Sequence, residues 1–80
     1  MKERYKPMMT SIQKSRVKIL KEMHNYIIDL GDEDAYDWWL TGPVPDEPSD
    51  EDFETIATDD KFWLRTVKWF YITVRDAIED

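Results

Sequence analysis

The chain lacks cysteine, contains a single histidine and two glycines, and has no long apolar run. Without cysteine it can form no disulfide framework, thiolate zinc site or cysteine nucleophile. Two glycines are too few for a glycine-rich phosphate-binding loop. The longest apolar run, residues 69–72, is far shorter than the roughly 20 residues of a membrane-spanning helix. We therefore expect a cytoplasmic protein that does not enter a membrane.

The composition is that of one folded domain. The chain has 80 residues, of which 41% are hydrophobic and 36% charged. Disordered chains are poor in aromatic residues, whereas this one has four tryptophans, four tyrosines and three phenylalanines. We expect a single helical domain over residues 1–80, with residues 1–9 as a flexible or loosely packed N-terminal arm.

Hydrophobic periodicity predicts an all-α fold, because apolar residues recur at helical spacing and no segment alternates as a strand does. Two long helices are expected at about 11–30 and 60–78. Two short helices, at about 33–41 and 50–57, are expected between them. Gly31 is expected to end the first helix, and Ser49 with Asp52 resembles a capping box at the start of the second short helix. The prolines of residues 42–48 favour an extended connection between the short helices.

The last helix is apolar on two sides. One stripe is centred on Val67, and it predicts a core face made of Trp63, Leu64, Phe70, Tyr71, Val74, Ala77 and Ile78. Trp69 points away from this stripe. A helix of this kind is typical of the middle of a small bundle, covered on one side by the first helix and on the other by the short helices.

Catalytic and metal-binding patterns are not found in the sequence. The lone His24 lies beside the apolar stripe of the first helix and is interpreted as a residue at the edge of the core. The acids Asp50, Asp52 and Glu54 have the spacing that opens a calcium loop, but the later positions of that loop do not match. We expect no enzyme activity, no catalytic residues, no metal site and no cofactor.

Charge is divided sharply along the chain. Residues 1–30 carry +4, residues 31–60 carry −12 without a single lysine or arginine, and residues 61–80 carry +1. Two interpretations remain open. In the first, the acids stabilise helix starts, where eight of the twelve acids of residues 31–60 lie. In the second, the acids form a functional surface, which would explain why residues 31–60 contain no lysine or arginine. The lysines at 14, 18 and 21 form a small basic patch, but the acids argue against direct nucleic-acid binding.

Two adjacent tryptophans stand beside the acids. On a helix, neighbouring residues diverge by about 100°, so both indoles cannot face one core. Aromatic residues are common anchors in protein interfaces. The predicted partner-binding set therefore combines both: Asp32, Asp34, Asp37, Trp38, Trp39, Asp46, Glu47, Asp50, Glu51 and Glu54.

The stretch Gly42-Pro43-Val44-Pro45-Asp46-Glu47-Pro48, with the acid-rich residues 50–60 after it, resembles small acidic helical proteins of phages and bacterial mobile elements. The resemblance covers residues 31–64. Such proteins often inhibit host enzymes that process nucleic acids, including defence nucleases, and the resemblance supplies no functional residues.

The sequence thus predicts a non-enzymatic acidic interaction protein. Its expected partner is a protein with a basic surface, whose cationic site it occupies as a nucleic-acid mimic. The alternative is a self-associating structural or scaffold domain, in which the spare aromatics, Trp69 among them, close a homodimer.

Overall fold

The computed structural model describes residues 9–79, and in this range the chain is all-helical, as predicted. The helices are α1 (Ser11–Asp29), α2 (Glu33–Leu40), α3 (Asp50–Ala57) and α4 (Asp60–Glu79). Apart from Met9, the predicted N-terminal arm lies outside the described residues.

Local signals in the sequence place the helix ends. Thr10 begins α1 with a capping box in which its hydroxyl accepts from the backbone N–H of Gln13. Ser49 and Asp52 form the predicted capping box of α3. Gly31 follows α1 with a φ of 67°, in the left-handed region that favours glycine.

Contacts between helices define their directions. Lys21 of α1 pairs with Asp50, whereas Arg16, earlier in α1, reaches Ala57 at the end of α3, so α1 and α3 are antiparallel. Arg16, early in α1, contacts Asp60 at the start of α4, and Tyr26, late in α1, contacts Phe70 further along α4. Helices α1 and α4 are therefore parallel.

Residues 33–57, the α2–α3 segment, run in the opposite direction to α1 and α4. Helix α2 packs mainly on α4 and α3 mainly on α1. The linker between them is held by Val44, which is fully buried. The core consists of Leu20, Ile27, Trp39, Val44, Phe53, Ile56 and Ala57, with half-buried apolar residues around it.

The predicted core face of α4 needs correction. The residues that α4 buries fully are Thr66 and Thr73, one heptad apart, while Leu64, Tyr71 and Ile78 of the predicted stripe are 61–66% exposed. Each threonine hydroxyl donates to the carbonyl four residues earlier, so neither buried hydroxyl is left without a partner. Compact threonines allow neighbouring helices to pack closely on this side of α4. As a result, Leu64, Tyr71 and Ile78 face outward, whereas Trp63, Phe70 and Val74 of the predicted stripe are half-buried and pack against the core.

Candidate functional site

Eleven of the twelve acids of residues 31–60 fall into three structural groups. The first group caps helices. Asp32 accepts hydrogen bonds from the backbone N–H groups of Asp34 and Ala35 at the start of α2. Asp52 completes the α3 capping box, and Asp59 accepts from two backbone N–H groups at the start of α4. These three carboxylates have a local structural role.

The second group pairs with side chains elsewhere in the fold. Asp60 lies 2.8 Å from Arg16, and Asp50 lies 3.0 Å from Lys21. Asp46 accepts a hydrogen bond of 2.9 Å from the hydroxyl of Tyr36. Arg16 also donates to the carbonyl of Ala57. The Lys21–Asp50 pair holds α1 against the start of α3, and Arg16 joins α1 to the end of α3 through Ala57 and to the start of α4 through Asp60.

The third group is exposed and carries the surplus negative charge. It consists of Glu33, Asp34, Asp37, Glu47 and Glu51, and within residues 9–79 no cation is paired with any of them. These residues lie on α2, in the linker and on α3. Glu54 is half-buried on α3.

We define the acidic face as Asp34, Asp37, Asp46, Glu47, Asp50 and Glu51 together with Trp38. All seven side chains are exposed on the α2–α3 segment. These side chains are distributed over α2, the linker and α3, and among the described residues only Asp50 of the acidic face pairs with a cation.

The two adjacent tryptophans have opposite environments. Trp39 is fully buried, and its indole N–H donates to Nδ1 of His24 over 3.0 Å. Trp38 is 45% exposed and stacks on Trp69, with ring centroids 4.8 Å apart. Since Trp39 belongs to the core, Trp38 is the indole that a partner can reach.

Trp69 packs beneath α2. Besides stacking on Trp38, its indole N–H donates to the backbone carbonyl of Trp38 over 3.2 Å. Its ring also lies directly against Gly42, where a Cβ atom would overlap it. Trp69 thus holds Trp38 from below and fixes the position of an exposed aromatic surface.

The electrostatics around Tyr36 show how closely the acids gather. Its hydroxyl bond to Asp46 is the main cause that raises the pKa of Tyr36. Partial burial and the negative charges of Asp46, Glu47 and Asp37 raise this pKa further. Removing a proton from Tyr36 would add a negative charge where three carboxylates already lie.

His24 is at the edge of the core, as predicted. Burial lowers its pKa, and the nearby charge of Asp46 opposes this shift. Because Nδ1 accepts the Trp39 N–H, the neutral ring carries its proton on Nε2. A nitrogen committed to an indole inside the core is poorly placed to take a proton from a substrate.

Several open grooves lie on the described part of the chain. One of about 360 Å³ lies between the end of α1 and α2, lined by Ile27, Ile28, Gly31, Asp32, Glu33, Tyr36 and Asp37. No cluster of histidine and acidic side chains within residues 9–79 could hold a metal ion. Nor do these residues include a helix with both the length and the apolar character needed to cross a membrane.

A second exposed surface, on α1 and α4, was not expected from the sequence. Ile12, Ile19 and Tyr26 of α1 are 40–67% exposed and occur seven residues apart. Together with Leu64, Tyr71 and Ile78 of α4, they form the α1/α4 face. The signal was present as apolar stripes wider than one core needs, but periodicity does not show which part of a stripe is covered.

Comparison with protein-family models, with curated proteins and with solved structures gives no match for this chain.

Proposed function

We propose that this protein is a non-enzymatic interaction protein whose acidic face occupies a cationic site on a protein that processes nucleic acids. The observation that carries the proposal is the set of exposed carboxylates on α2, the linker and α3, which the fold leaves without cationic partners among its described residues. In this proposed function the domain is a small bundle in which two short helices, between two long ones, carry the acidic face.

Capping alone does not account for this charge. Asp32, Asp52 and Asp59 perform the capping that the three helix starts require. Asp37, Glu47 and Glu51 accept none of these bonds and are exposed on the α2–α3 segment. Uncompensated like charges oppose one another, so this arrangement adds repulsion to the folded state. A partner rich in lysine and arginine would relieve that repulsion.

Trp38 gives the acidic face an apolar anchor. Its exposed ring rests on Trp69, whose indole N–H also binds the Trp38 carbonyl. A side chain already fixed in one orientation loses little entropy when a partner covers it. Exposed carboxylates on the same segment as a fixed aromatic ring would provide the electrostatic steering and the contact area that a tight complex needs.

The resemblance of residues 31–64 to small acidic proteins of phages and mobile elements supports the same function. In that context the target would be a host enzyme acting on nucleic acid, including a defence nuclease, and the carboxylates would stand where phosphates bind. Self-association, the alternative function, would need a surface other than Trp69, because Trp69 packs on Trp38 of α2.

A quantitative pull-down tests the proposal. Tagged wild-type protein is compared with a variant carrying Asp34→Lys, Asp37→Lys, Glu47→Lys and Glu51→Lys, all at exposed positions. Captured proteins are eluted with increasing salt and identified by mass spectrometry. We expect wild type to retain a nucleic-acid-binding protein that moderate salt or added duplex DNA or RNA releases, and the four-lysine variant to lose it.

A matched pair of single variants controls for net charge. Asp37→Lys and Glu79→Lys each change the charge by two, but Glu79 lies at the end of α4, outside the acidic face. Asp37→Lys should weaken capture and Glu79→Lys should not. Circular dichroism confirms that helicity is kept. Equal capture by wild type and the four-lysine variant, or release that nucleic acid cannot produce, would contradict the proposal.

A further inference from the structure

The α1/α4 face holds six of the eight large apolar side chains that are exposed within residues 9–79. Its six exposed side chains are Ile12, Ile19, Tyr26, Leu64, Tyr71 and Ile78, each 40–67% exposed. Half-buried Val67 and Val74 continue the surface between them on α4. A groove of about 500 Å³ runs along this side of α4, and a second of about 400 Å³ lies where Ile12 and Ile19 approach Trp63.

The spacing on α4 is that of a helix packing seam. Leu64, Val67, Tyr71, Val74 and Ile78 follow one another at intervals of four and three residues. This repeat is found where one helix packs along another at a shallow angle.

The two edges of the face carry opposite charge. Along α4, Lys68 is four residues after Leu64 and three before Tyr71. Arg75 is four residues after Tyr71 and three before Ile78. Residues at these spacings are neighbours on a helix surface. Along α1, Glu22 lies between Ile19 and Tyr26, and Asp29 follows Tyr26. All four charged side chains are exposed.

The register of α1 and α4 places these charges at matching heights. The contacts of Arg16 with Asp60 and of Tyr26 with Phe70 both join residues 44 positions apart. Glu22 is therefore level with residue 66, two residues below Lys68, and Asp29 is two residues below Arg75. At 1.5 Å per residue, each acid is within about 3 Å of the height of its base.

We propose that the α1/α4 face binds a second copy of this chain about a two-fold axis parallel to the helices. This rotation places α1 of each protomer over α4 of the other at the same height and in the same direction. Glu22 then meets Lys68 of the other protomer, and Asp29 meets Arg75. The seam on α4 packs against Ile12, Ile19 and Tyr26.

The charge pattern favours a second copy over an unrelated partner. A two-fold interface must be complementary to itself, since each patch meets the same patch on the other subunit. One basic edge and one acidic edge on the same face satisfy this condition. The acidic face lies on the α2–α3 segment and takes no part in the contact, so a dimer would leave it free.

Analytical ultracentrifugation over a range of protein concentrations tests the dimer. Wild type should sediment as a dimer, and Tyr71→Asp as a monomer with unchanged helicity, because this side chain is 61% exposed. The matched control is Ile28→Asp, which places the same charge at a 49% exposed position on another side of α1 and should leave the dimer intact. A wild type that stays monomeric, or a dimer unaffected by Tyr71→Asp, would overturn the proposal.

A charge exchange tests the symmetry. Lys68→Glu and Glu22→Lys should each raise the dimer dissociation constant several-fold by opposing like charges, and the double variant should restore it. An antiparallel dimer brings α4 against α4, so the exchange would fail to rescue, and that result would overturn the parallel arrangement. The four-lysine variant of the acidic face should still dimerise, which separates this proposal from the proposed function.

Discussion

The indole N–H of Trp39 donates to Nδ1 of His24 across 3.0 Å in the core, joining α2 to α1. Trp39 is the largest fully buried side chain, and its N–H would otherwise be left in the core without a partner. An unsatisfied buried donor costs about 1–3 kcal/mol. The bond requires Nδ1 to be free of a proton, so it connects the stability of the fold to pH.

We expect the free energy of unfolding to fall as the pH drops below about 6.5, the ordinary pKa of histidine. Burial lowers the pKa of His24 in the folded state, so the unfolded chain takes up the proton first. The contribution of neutral His24 to the free energy of unfolding is therefore fully present above this pH. It is lost as the pH falls toward the pKa of His24 in the folded state, and the free energy of unfolding changes by up to about 1.4 kcal/mol per pH unit.

Urea denaturation of wild type and His24→Asn over about pH 5.5–8 measures this effect. Asparagine can place an amide oxygen near the position of Nδ1, and it does not titrate, so the variant should lose the histidine component of the slope. It should also be less stable at neutral pH, because the ring contact of His24 with Tyr36 is removed. Identical slopes for the two proteins would show that His24 does not control this range.

The all-α class and several helix ends could be read from the sequence because their causes are local. A capping box, a glycine after a helix and prolines in a linker act within a few residues, as Ser49, Gly31 and Pro43 show. The residues covered on α4 depend on distant partners. Thr66 and Thr73 are buried while Leu64 and Tyr71 are exposed, which is opposite to the expectation from hydrophobicity.

The candidate site shows the same limit. The acids could be located in the sequence, and helical geometry predicted that Trp38 and Trp39 would face different ways. Which of the two is buried depends on His24 and on the stacking of Trp38 with Trp69, which join residues 15 and 31 positions apart. The charge register of the α1/α4 face likewise requires knowing that α1 and α4 are parallel.

Gly42 should not tolerate a side chain. A Cβ atom at this position would overlap the indole of Trp69, and overpacking of this kind costs about 1–3 kcal/mol. Gly42→Ala should therefore lower the unfolding midpoint and weaken the near-ultraviolet circular dichroism of the stacked pair Trp38 and Trp69. An unchanged spectrum and midpoint would show that the ring can move aside freely.

Gly31→Ala is the control for the loss of glycine itself. No atom lies within 4 Å of the position of an added Cβ, but the φ of 67° disfavours alanine by about 1–2 kcal/mol. We expect this variant to be destabilised while the signal of the tryptophan pair stays as in wild type.

Arg16 connects three elements. One nitrogen of its guanidinium donates to the Ala57 carbonyl at 3.1 Å and to Asp60 at 2.8 Å, while the group lies over the ring of Trp63. Arg16→Ala should destabilise the fold by about 1–3 kcal/mol, since it leaves a partly buried carbonyl without its donor. Arg16→Lys should recover part of the loss, because lysine keeps the charge but not the planar group.

Thermal unfolding of these variants is compared with that of Lys14→Ala, which changes an exposed residue of the same helix. Surface changes of this kind usually stay within about 0.5 kcal/mol. If Arg16→Ala were no more destabilising than Lys14→Ala, the contacts of Arg16 would contribute nothing measurable.

Tyr36 can report on the potential of the acidic face. Its pKa is raised first by the hydrogen bond to Asp46, and further by the charges of Asp46, Glu47 and Asp37. Asp46→Asn removes one charge and weakens the bond, so the pKa of Tyr36 should fall toward its ordinary value of 10.0. Phenolate absorbance measures the titration, and the difference from Tyr36→Phe isolates this tyrosine from the others.

Glu47→Gln separates the two causes. This substitution removes one negative charge and leaves the hydrogen bond between Tyr36 and Asp46 in place, so it should lower the pKa of Tyr36 less than Asp46→Asn does. Added salt should make the effect of Glu47→Gln smaller, because it screens the charge of Glu47 in wild type. Glu51→Gln, on α3, serves as the distant control. A cationic partner bound to the acidic face would offset the negative potential and lower the pKa of Tyr36 in wild type. If Asp46→Asn left the titration unchanged, the negative potential at this end of the acidic face would be too weak to provide the proposed steering.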